Sequence, residues 1–358
     1  MVNVTKTFLP PLEEYQNLLK KIWENEWLTN RGQFTLELEE KLKIYLGLDN
    51  ILITNNGTIP LQIALKLLGN NGEIITTPFS YVATTSSIIW ENCKPIFVDI
   101  NEDFLTIDET KIENAITPNT TAILATHVFG NPCHIEEIEK IAKKHKLYII
   151  YDAAHCFGVK YKNQSIFKYG TISTCSFHAT KIFHTGEGGA IISNDKELTK
   201  KIYYSHNFGH DGPLNFHGLG INAKISELQS AMGITVLNHI DTILKKRKEV
   251  VDYYNTNLNL NKLKIIKIRE NTEWNYSYYP IILSSENKLL EVQKELNIHN
   301  IFPRRYFYPS LNTIKYVNGE KMPISESISS RVLCLPLYAG IDSSDLKKIV
   351  SIVNKTIC

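Results

Sequence analysis

The chain has 358 residues, 43% hydrophobic and 21% charged, with a formal net charge of +2 at pH 7. That length supports a large domain plus a smaller one, and so even a charge balance calls for neither a nucleic-acid nor a membrane surface. No apolar stretch approaches a membrane span, the N-terminus MVNVTKTFLPPLEEYQ lacks the apolar core of a signal peptide, and Cys93, Cys133, Cys156, Cys175, Cys334 and Cys358 fall in no CxxC or evenly spaced pattern, which argues against a disulfide framework or a metal site and for a reducing cytoplasm.

Residues 1–11 read as extended, and Pro10-Pro11 introduce an amphipathic helix over 12–25. A polar turn at 27–32 precedes a second helix over 34–46. Its Arg31 is a candidate to neutralise an anionic ligand, with an ordinary surface arginine as the alternative. From Ile51 short apolar runs alternate with helical ones, at 51–54, 73–77, 95–99, 121–126, 148–152, 172–177 and 189–193. This pattern predicts an α/β fold with a mainly parallel seven-stranded sheet flanked by helices. Ligands in such sheets bind beyond the carboxyl ends of the strands. Further on, a long amphipathic helix is expected over 224–258, with Lys245-Lys246-Arg247-Lys248 as a solvated face. A domain boundary along it divides a large cofactor-binding domain, 1–245, from a smaller α+β domain, 246–358. The latter should hold strands near 264–268 and 278–283 and helices near 287–296 and 344–354.

The polar residues at the strand ends carry the chemistry. Lys181 lies in STCSFHATKIFHTGEGG, residues 173–189, between a β-branched strand and a glycine-rich loop. Desolvation there lowers an amine's pKa toward the range in which it attacks carbonyls. Ser176 offers a hydroxyl to an anion, so the pair suggests a Schiff-base lysine beside a phosphate; an exposed loop lysine is the commoner arrangement. After the first strand, Gly57 frees the backbone, Thr58 is placed to cap a helix and Pro60 fits its first turn. The amides of Gly57 and Thr58 are therefore expected to face an anion. Tyr81 follows the second strand as an aromatic plate or as a core tyrosine, and His127 follows the fourth. Asp152 ends the fifth, where a buried carboxylate calls for a cation. Pyridoxal 5'-phosphate needs a lysine, a carboxylate on its ring nitrogen, an aromatic face and a phosphate cradle. Lys181, Asp152, Tyr81, and Gly57-Thr58 with Ser176 supply them.

These residues resemble the nucleotide-sugar aminotransferases of the DegT/DnrJ type, which have the type I fold of pyridoxal phosphate enzymes. The resemblance rests on NGT at 56–58, PFSYVAT at 78–84, DAAH at 152–155, SFHATK at 176–181, GEGG at 186–189 and GLGINAKISELQSAMG at 218–233, and extends to LCLPLY at 333–338. It implies Lys181 as the lysine that joins the cofactor, Asp152 as the partner of the ring nitrogen, Tyr81 as the stacking residue, and Thr58 and Ser176 as phosphate ligands. His155 stands where many members carry glutamine, and Glu187 of GEGG counts with the substrate residues. Asn222 matches an asparagine that reaches the cofactor phosphate of a neighbouring subunit, which implies a homodimer with shared active sites.

Within the family, LTNRG at 28–32, THVFGNPC at 126–133 and FPRRYFYPSLN at 302–312 look like the viosamine synthases. Those enzymes aminate dTDP-4-keto-6-deoxy-D-glucose with L-glutamate as donor. The run Arg304-Arg305-Tyr306-Phe307-Tyr308 combines charge for a pyrophosphate with aromatic surface, so Tyr306 or Tyr308 is expected on the sugar and an arginine on the diphosphate. A strand-edge cluster is the alternative for this run. Other substrates stay open: a UDP-linked 4-keto N-acetyl sugar or a 3-keto-6-deoxy sugar. Dehydratases of the family replace the lysine by histidine, and a sugar-binding sensor without chemistry would have no use for the intact cofactor set.

Overall fold

Seven strands form the central sheet: β1 (Leu52–Thr54), β2 (Glu73–Thr76), β3 (Lys94–Phe97), β4 (Thr120–Thr126), β5 (Tyr148–Asp152), β6 (Ile172–Ser176) and β7 (Gly189–Ile192). The structure is a computed structural model that describes residues 1–317 and 319–357, so Cys358 lies outside the described residues. The spatial order is β1-β7-β6-β5-β4-β2-β3. Pairs from β3 across to β6 are parallel, whereas β7 runs antiparallel to both β1 and β6. Helices cover both faces, which is why the strands read as near-continuous apolar runs. The mainly parallel seven-stranded sheet expected from the pattern is the sheet found.

The reversed strand positions the site. Because β7 runs backwards, its first residue, Gly189, sits between Thr54 at the end of β1 and Ser176 at the end of β6. The connection from β6 to β7 is therefore a return turn at the carboxyl edge of the sheet, and Lys181 lies in it.

Besides a single turn at Glu109–Ile112, the helices are α1 (Leu12–Asn25), α2 (Gln33–Leu46), α3 (Ile59–Leu68), α4 (Val82–Trp90), α5 (Ile135–His145), α6 (Lys196–His206), α7 (Glu227–Leu237), α8 (Ile240–Asn257), α9 (Glu286–Ile298), α10 (Pro323–Arg331) and α11 (Ser343–Ile357). On one face α2, α5 and α7 pack Leu38, Leu42, Ile138 and Ile234 against Ile53, Ile123 and Tyr151. On the other, α3, α4 and α6 pack Leu61, Leu65, Ile88 and Ile202 against Ile74, Leu124 and Ile191. Each fully buried leucine or isoleucine contributes about 2 kcal/mol over its exposed state. The start of α2 carries no cap of its own; Glu227 of α7 accepts from the amides of Phe34 (2.7 Å) and Thr35 (3.0 Å) instead.

A third core joins α8, α9 and α11 to an antiparallel sheet of β8 (Lys264–Ile265), β9 (Tyr279–Ile282) and β10 (Val332–Leu335). The N-terminal pair Val2–Asn3 runs parallel to Ile301–Phe302 and packs with this core. It thus lies with the C-terminal part, and the expected division at residue 245 falls inside α8. No described helix is long and apolar enough to cross a membrane.

Two expectations need correction. The single helix over 224–258 is two, α7 and α8, broken at Asn238-His239. From Gly233 to Leu237 every residue of α7 is buried, whereas α8 exposes one side. Continuing the first helix would force a change of buried face, and His239 instead leaves it to bond both carboxylate oxygens of Glu14 at 2.9 and 3.1 Å. The basic run 245–248 is solvated except at Arg247, which is buried because its guanidinium donates to the carbonyls of Tyr276 and Ser277.

Candidate active site

A cavity of about 250 Å³ opens at the carboxyl edge of the sheet, where Lys181, Asp152, Ser176 and Gly57 converge. The return turn is pinned at both ends: Phe177 N donates to Gly188 O (2.8 Å), Thr185 N to Phe177 O (3.0 Å), and Ala179 N to Gly186 O (2.7 Å). Lys181 N donates to His178 O at 2.8 Å, which curls the chain so that the amine enters the cavity. Burial pushes the Lys181 pKa below that of a free amine, and the nearby Asp152 carboxylate opposes the shift.

Asp152 closes β5 with only 6% of its surface exposed. One carboxylate oxygen accepts from Thr84 Oγ1 at 2.7 Å and the other from Ala154 N at 3.2 Å. Burial raises its pKa; those bonds and Lys181 pull it back. Beside it the His155 ring lies parallel to Phe307 (5.8 Å, 8°) and Phe129 (6.1 Å, 7°). His155 Nδ1 accepts from Phe129 N at 3.2 Å, which puts the proton on Nε2. Burial, and then Lys181, hold this imidazole neutral, well below its ordinary pKa.

Gly57 and Ser176 meet across the β1 and β6 ends. A Cβ at Gly57 would stand 2.7 Å from Ser176 Cβ and 2.8 Å from its Oγ, so only glycine brings this backbone against the hydroxyl. The companion amide is lost. Thr58 N donates to Asn56 Oδ1 (2.9 Å), as does Ile59 N (3.0 Å), so Asn56 rather than Thr58 caps α3 and the Thr58 amide does not face an anion. Thr58 still lines the cavity.

The family comparison agrees with this geometry. The DegT/DnrJ/EryC1/StrS aminotransferase family matches over residues 12–354. The chain belongs to that family. It is 43% identical over 359 residues to a dTDP-4-amino-4,6-dideoxy-D-glucose transaminase of Shigella dysenteriae, covering 98% of each chain. To a transaminase of the same name from Escherichia coli it is 41% identical, again over 98% of each. The solved structure of DesI in the presence of its TDP-sugar product matches with a TM-score of 0.94 at 27% identity, over 99% of this chain and 93% of that one.

This aminotransferase depends on pyridoxal 5'-phosphate, and the residues fit that group. The Gly57–Ser176 cradle suits a phosphate, the buried carboxylate of Asp152 suits a protonated ring nitrogen, and the desolvated amine of Lys181 suits a carbonyl. Tyr81 lines the same cavity with half its surface exposed, as a stacking residue requires.

Of the expected substrate residues, Glu187, Arg304 and Tyr306 line the cavity and three others do not. Glu187 Oε1 lies 3.5 Å from His178 Nε2. Arg304 is fixed by backbone pairing with Cys334 and lies over the Tyr306 ring at 4.7 Å. Side chains alternate along an extended segment, so Arg305 points away, donating to Glu286 Oε1 (2.6 Å) and Ser330 O (3.1 Å). The chain turns at Tyr306-Phe307, which ends the alternation, and Tyr308 lies outside with its ring 3.5 Å from the Arg305 guanidinium. Arg31 is also outside, because the buried carboxylate of Glu39 takes its charge. Asn222 pairs through its backbone with Asn207 in an exposed loop and does not reach this chain's cavity.

Thr126, Thr180, Tyr278 and Phe307 also line the cavity, and Thr84 bonds Asp152 behind it, roles that the sequence pattern does not single out. Thr84 had a signal, since it sits one helical turn past Tyr81 and so faces the same way. At the end of the fourth strand the cavity is lined by Thr126 and not by His127. His127 is fully buried, accepting from Cys133 N at 3.0 Å, and burial pushes its pKa down to about 3.

Proposed function

We propose that this aminotransferase converts dTDP-4-keto-6-deoxy-D-glucose to dTDP-4-amino-4,6-dideoxy-D-glucose with L-glutamate as amino donor. The observation that carries the substrate is the 43% and 41% identity, at nearly full length, to two transaminases named for that product. When bound, the cofactor supplies an amino-group carrier and an electron sink. Lys181, with its lowered pKa, takes a proton from the carbon that loses nitrogen and returns one to the carbon that gains it. Asp152 would hold a proton on the cofactor's ring nitrogen. Arg304 offers charge to the diphosphate, and Tyr306 offers apolar surface to the 6-methyl group. The five described cysteines are buried and unpaired, which suits a reducing compartment, and we infer a cytoplasmic location.

Incubation with glutamate and a panel of dTDP- and UDP-linked 3- and 4-keto sugars should yield a 4-amino product from the dTDP-4-keto-6-deoxy sugar, identified by mass and NMR. Amination only of UDP-N-acetyl sugars, or only at the 3-position, would refute this substrate. The donor is tested in the same panel by replacing glutamate with aspartate or alanine.

We also infer a homodimer in which Asn222 serves the partner's site. Phe208, Leu214, Phe216 and Leu219 around it are exposed apolar residues of the kind a second subunit covers. Mixing and refolding Lys181→Ala and Asn222→Ala subunits should restore about a quarter of wild-type activity, because half the dimers are mixed and each has one intact site. A monomer at working concentration, or no restoration, would sink the shared-site reading.

A further inference from the structure

Arg247 is an expensive residue to bury. The residue is 5% exposed, among the described residues no carboxylate pairs with its guanidinium, and burial pushes its pKa down to about 10. A buried cation held only by carbonyls costs several kcal/mol relative to an apolar replacement. What it holds is the strap 274–278, through Nε to Tyr276 O (2.9 Å) and a terminal nitrogen to Ser277 O (2.6 Å). The strap is fixed from the other side too. Trp274 Nε1 donates to Phe129 O (2.8 Å), and Asn275 Nδ2 to His155 O (2.8 Å) and Phe157 O (2.9 Å). A Cβ at Gly130 would come within 2.5 Å of Asn275 Oδ1, so even the facing backbone is cut back to admit it.

The strap delivers Tyr278 to the cavity. Its ring centroid is 5.9 Å from Lys181 Nζ, within cation–π range. The ring is wedged between His155 (centroids 4.8 Å apart) and Tyr306 (5.2 Å, edge to face), so it has little freedom to turn away.

We propose that the face of Tyr278 is the resting place of the Lys181 ammonium when the lysine is protonated and not joined to the cofactor, and that Arg247 is the positioning residue that holds the ring there. The other titratable groups that act on Lys181 are Asp152 on β5, Cys156 just beyond it, Cys175 on β6 and Tyr81 ahead of α4. Burial raises both thiol pKa values, Cys175 to about 12, and His155 is neutral, which leaves Asp152 as the charged neighbour. The amine thus has a carboxylate and a π-face as neighbours. Both favour the ammonium and oppose burial, so removing the π contribution lowers the Lys181 pKa.

This inference rests on Lys181 as the reactive amine, and its test reads that amine directly. In cofactor-free protein, the pH dependence of Lys181 carbamoylation by cyanate, followed by mass spectrometry, gives the pKa. Tyr278→Phe should leave it unchanged. Mono-, di- and trifluorinated phenylalanines at position 278, which drain the π-face without changing the shape, should lower it stepwise, to about half a pH unit below wild type. Tyr278→Leu should end at the same value, and Arg247→Met should shift it in the same direction. A flat fluorination series, or a Tyr278→Phe protein already at the leucine value, would overturn the proposal, the latter by assigning the effect to the hydroxyl. Either result leaves the aminotransferase reading intact, and a failure of that reading, protein that binds no pyridoxal phosphate, leaves the labelling series interpretable.

Discussion

Lys181→Ala is expected to purify without the yellow absorbance of lysine-bound cofactor and to lose turnover by a factor on the order of 10⁴ or more. The fold should survive, because the bonds that pin the return turn are made by the backbones of Phe177, Ala179, Lys181 and Thr185 and none uses the lysine side chain. An unchanged far-ultraviolet circular dichroism spectrum would separate lost chemistry from lost structure. No cavity-lining neighbour can substitute. His178 is engaged with Thr180 Oγ1 at 2.8 Å, and the Asp152 carboxylate is already bonded through both oxygens. Added methylamine should restore a small part of the activity by carrying protons in the lysine's place. A variant that still aminated the sugar at more than about a hundredth of the wild-type rate would remove Lys181 from the mechanism.

The sheet and Asp152 were legible for one reason. Strands covered on both faces are largely apolar, so a charged residue at a strand end stands out, as Asp152 does in Tyr148–Asp152; Ser176, which follows Ser173 and Thr174 in its strand, was legible only from its place beside Lys181. The reversal of β7 was not legible, because an antiparallel strand in a covered sheet carries the same apolar pattern as a parallel one. Nor was the pairing of Val2–Asn3 with Ile301–Phe302, since two residues show no periodicity and their partners lie about 300 positions away. At the site, the errors share a cause. Whether Arg304 or Arg305 faces the cavity depends on the register of an extended segment, and Arg31 is withdrawn by a glutamate, Glu39, whose burial no local pattern announces. Thr58 lost its amide to Asn56, two residues earlier, although asparagine before a helix is itself a capping signal. Arg247 was hidden inside a basic run because one turn of helix has a buried side as well as a wet one.

Asp152→Asn should lower kcat by a factor on the order of 10² to 10³ while moving KM little, because the change removes a charge and almost no volume. The amide oxygen can still accept from Thr84 Oγ1, as the carboxylate does at 2.7 Å. The amide nitrogen then meets the N–H of Ala154, which now donates to a carboxylate oxygen at 3.2 Å, so one bond is exchanged for a contact between two donors. That local cost weakens cofactor retention without undoing the cavity. The larger loss is electrostatic: the variant has no negative charge with which to hold a proton on the ring nitrogen, and Lys181 loses the charged neighbour that opposes its burial. The pH profile separates the two roles. Burial raises the Asp152 pKa in the cofactor-free protein and a protonated ring nitrogen beside it opposes that rise, so the acid limb of wild-type activity marks the pH at which protonation removes the working carboxylate from the pair. In Asp152→Asn that acid limb should disappear, and the pKa of Lys181, read by cyanate labelling of cofactor-free protein, should drop. Turnover within tenfold of wild type with the acid limb still present would show that Asp152 is a structural partner of Thr84 and not the group that keeps the ring nitrogen protonated.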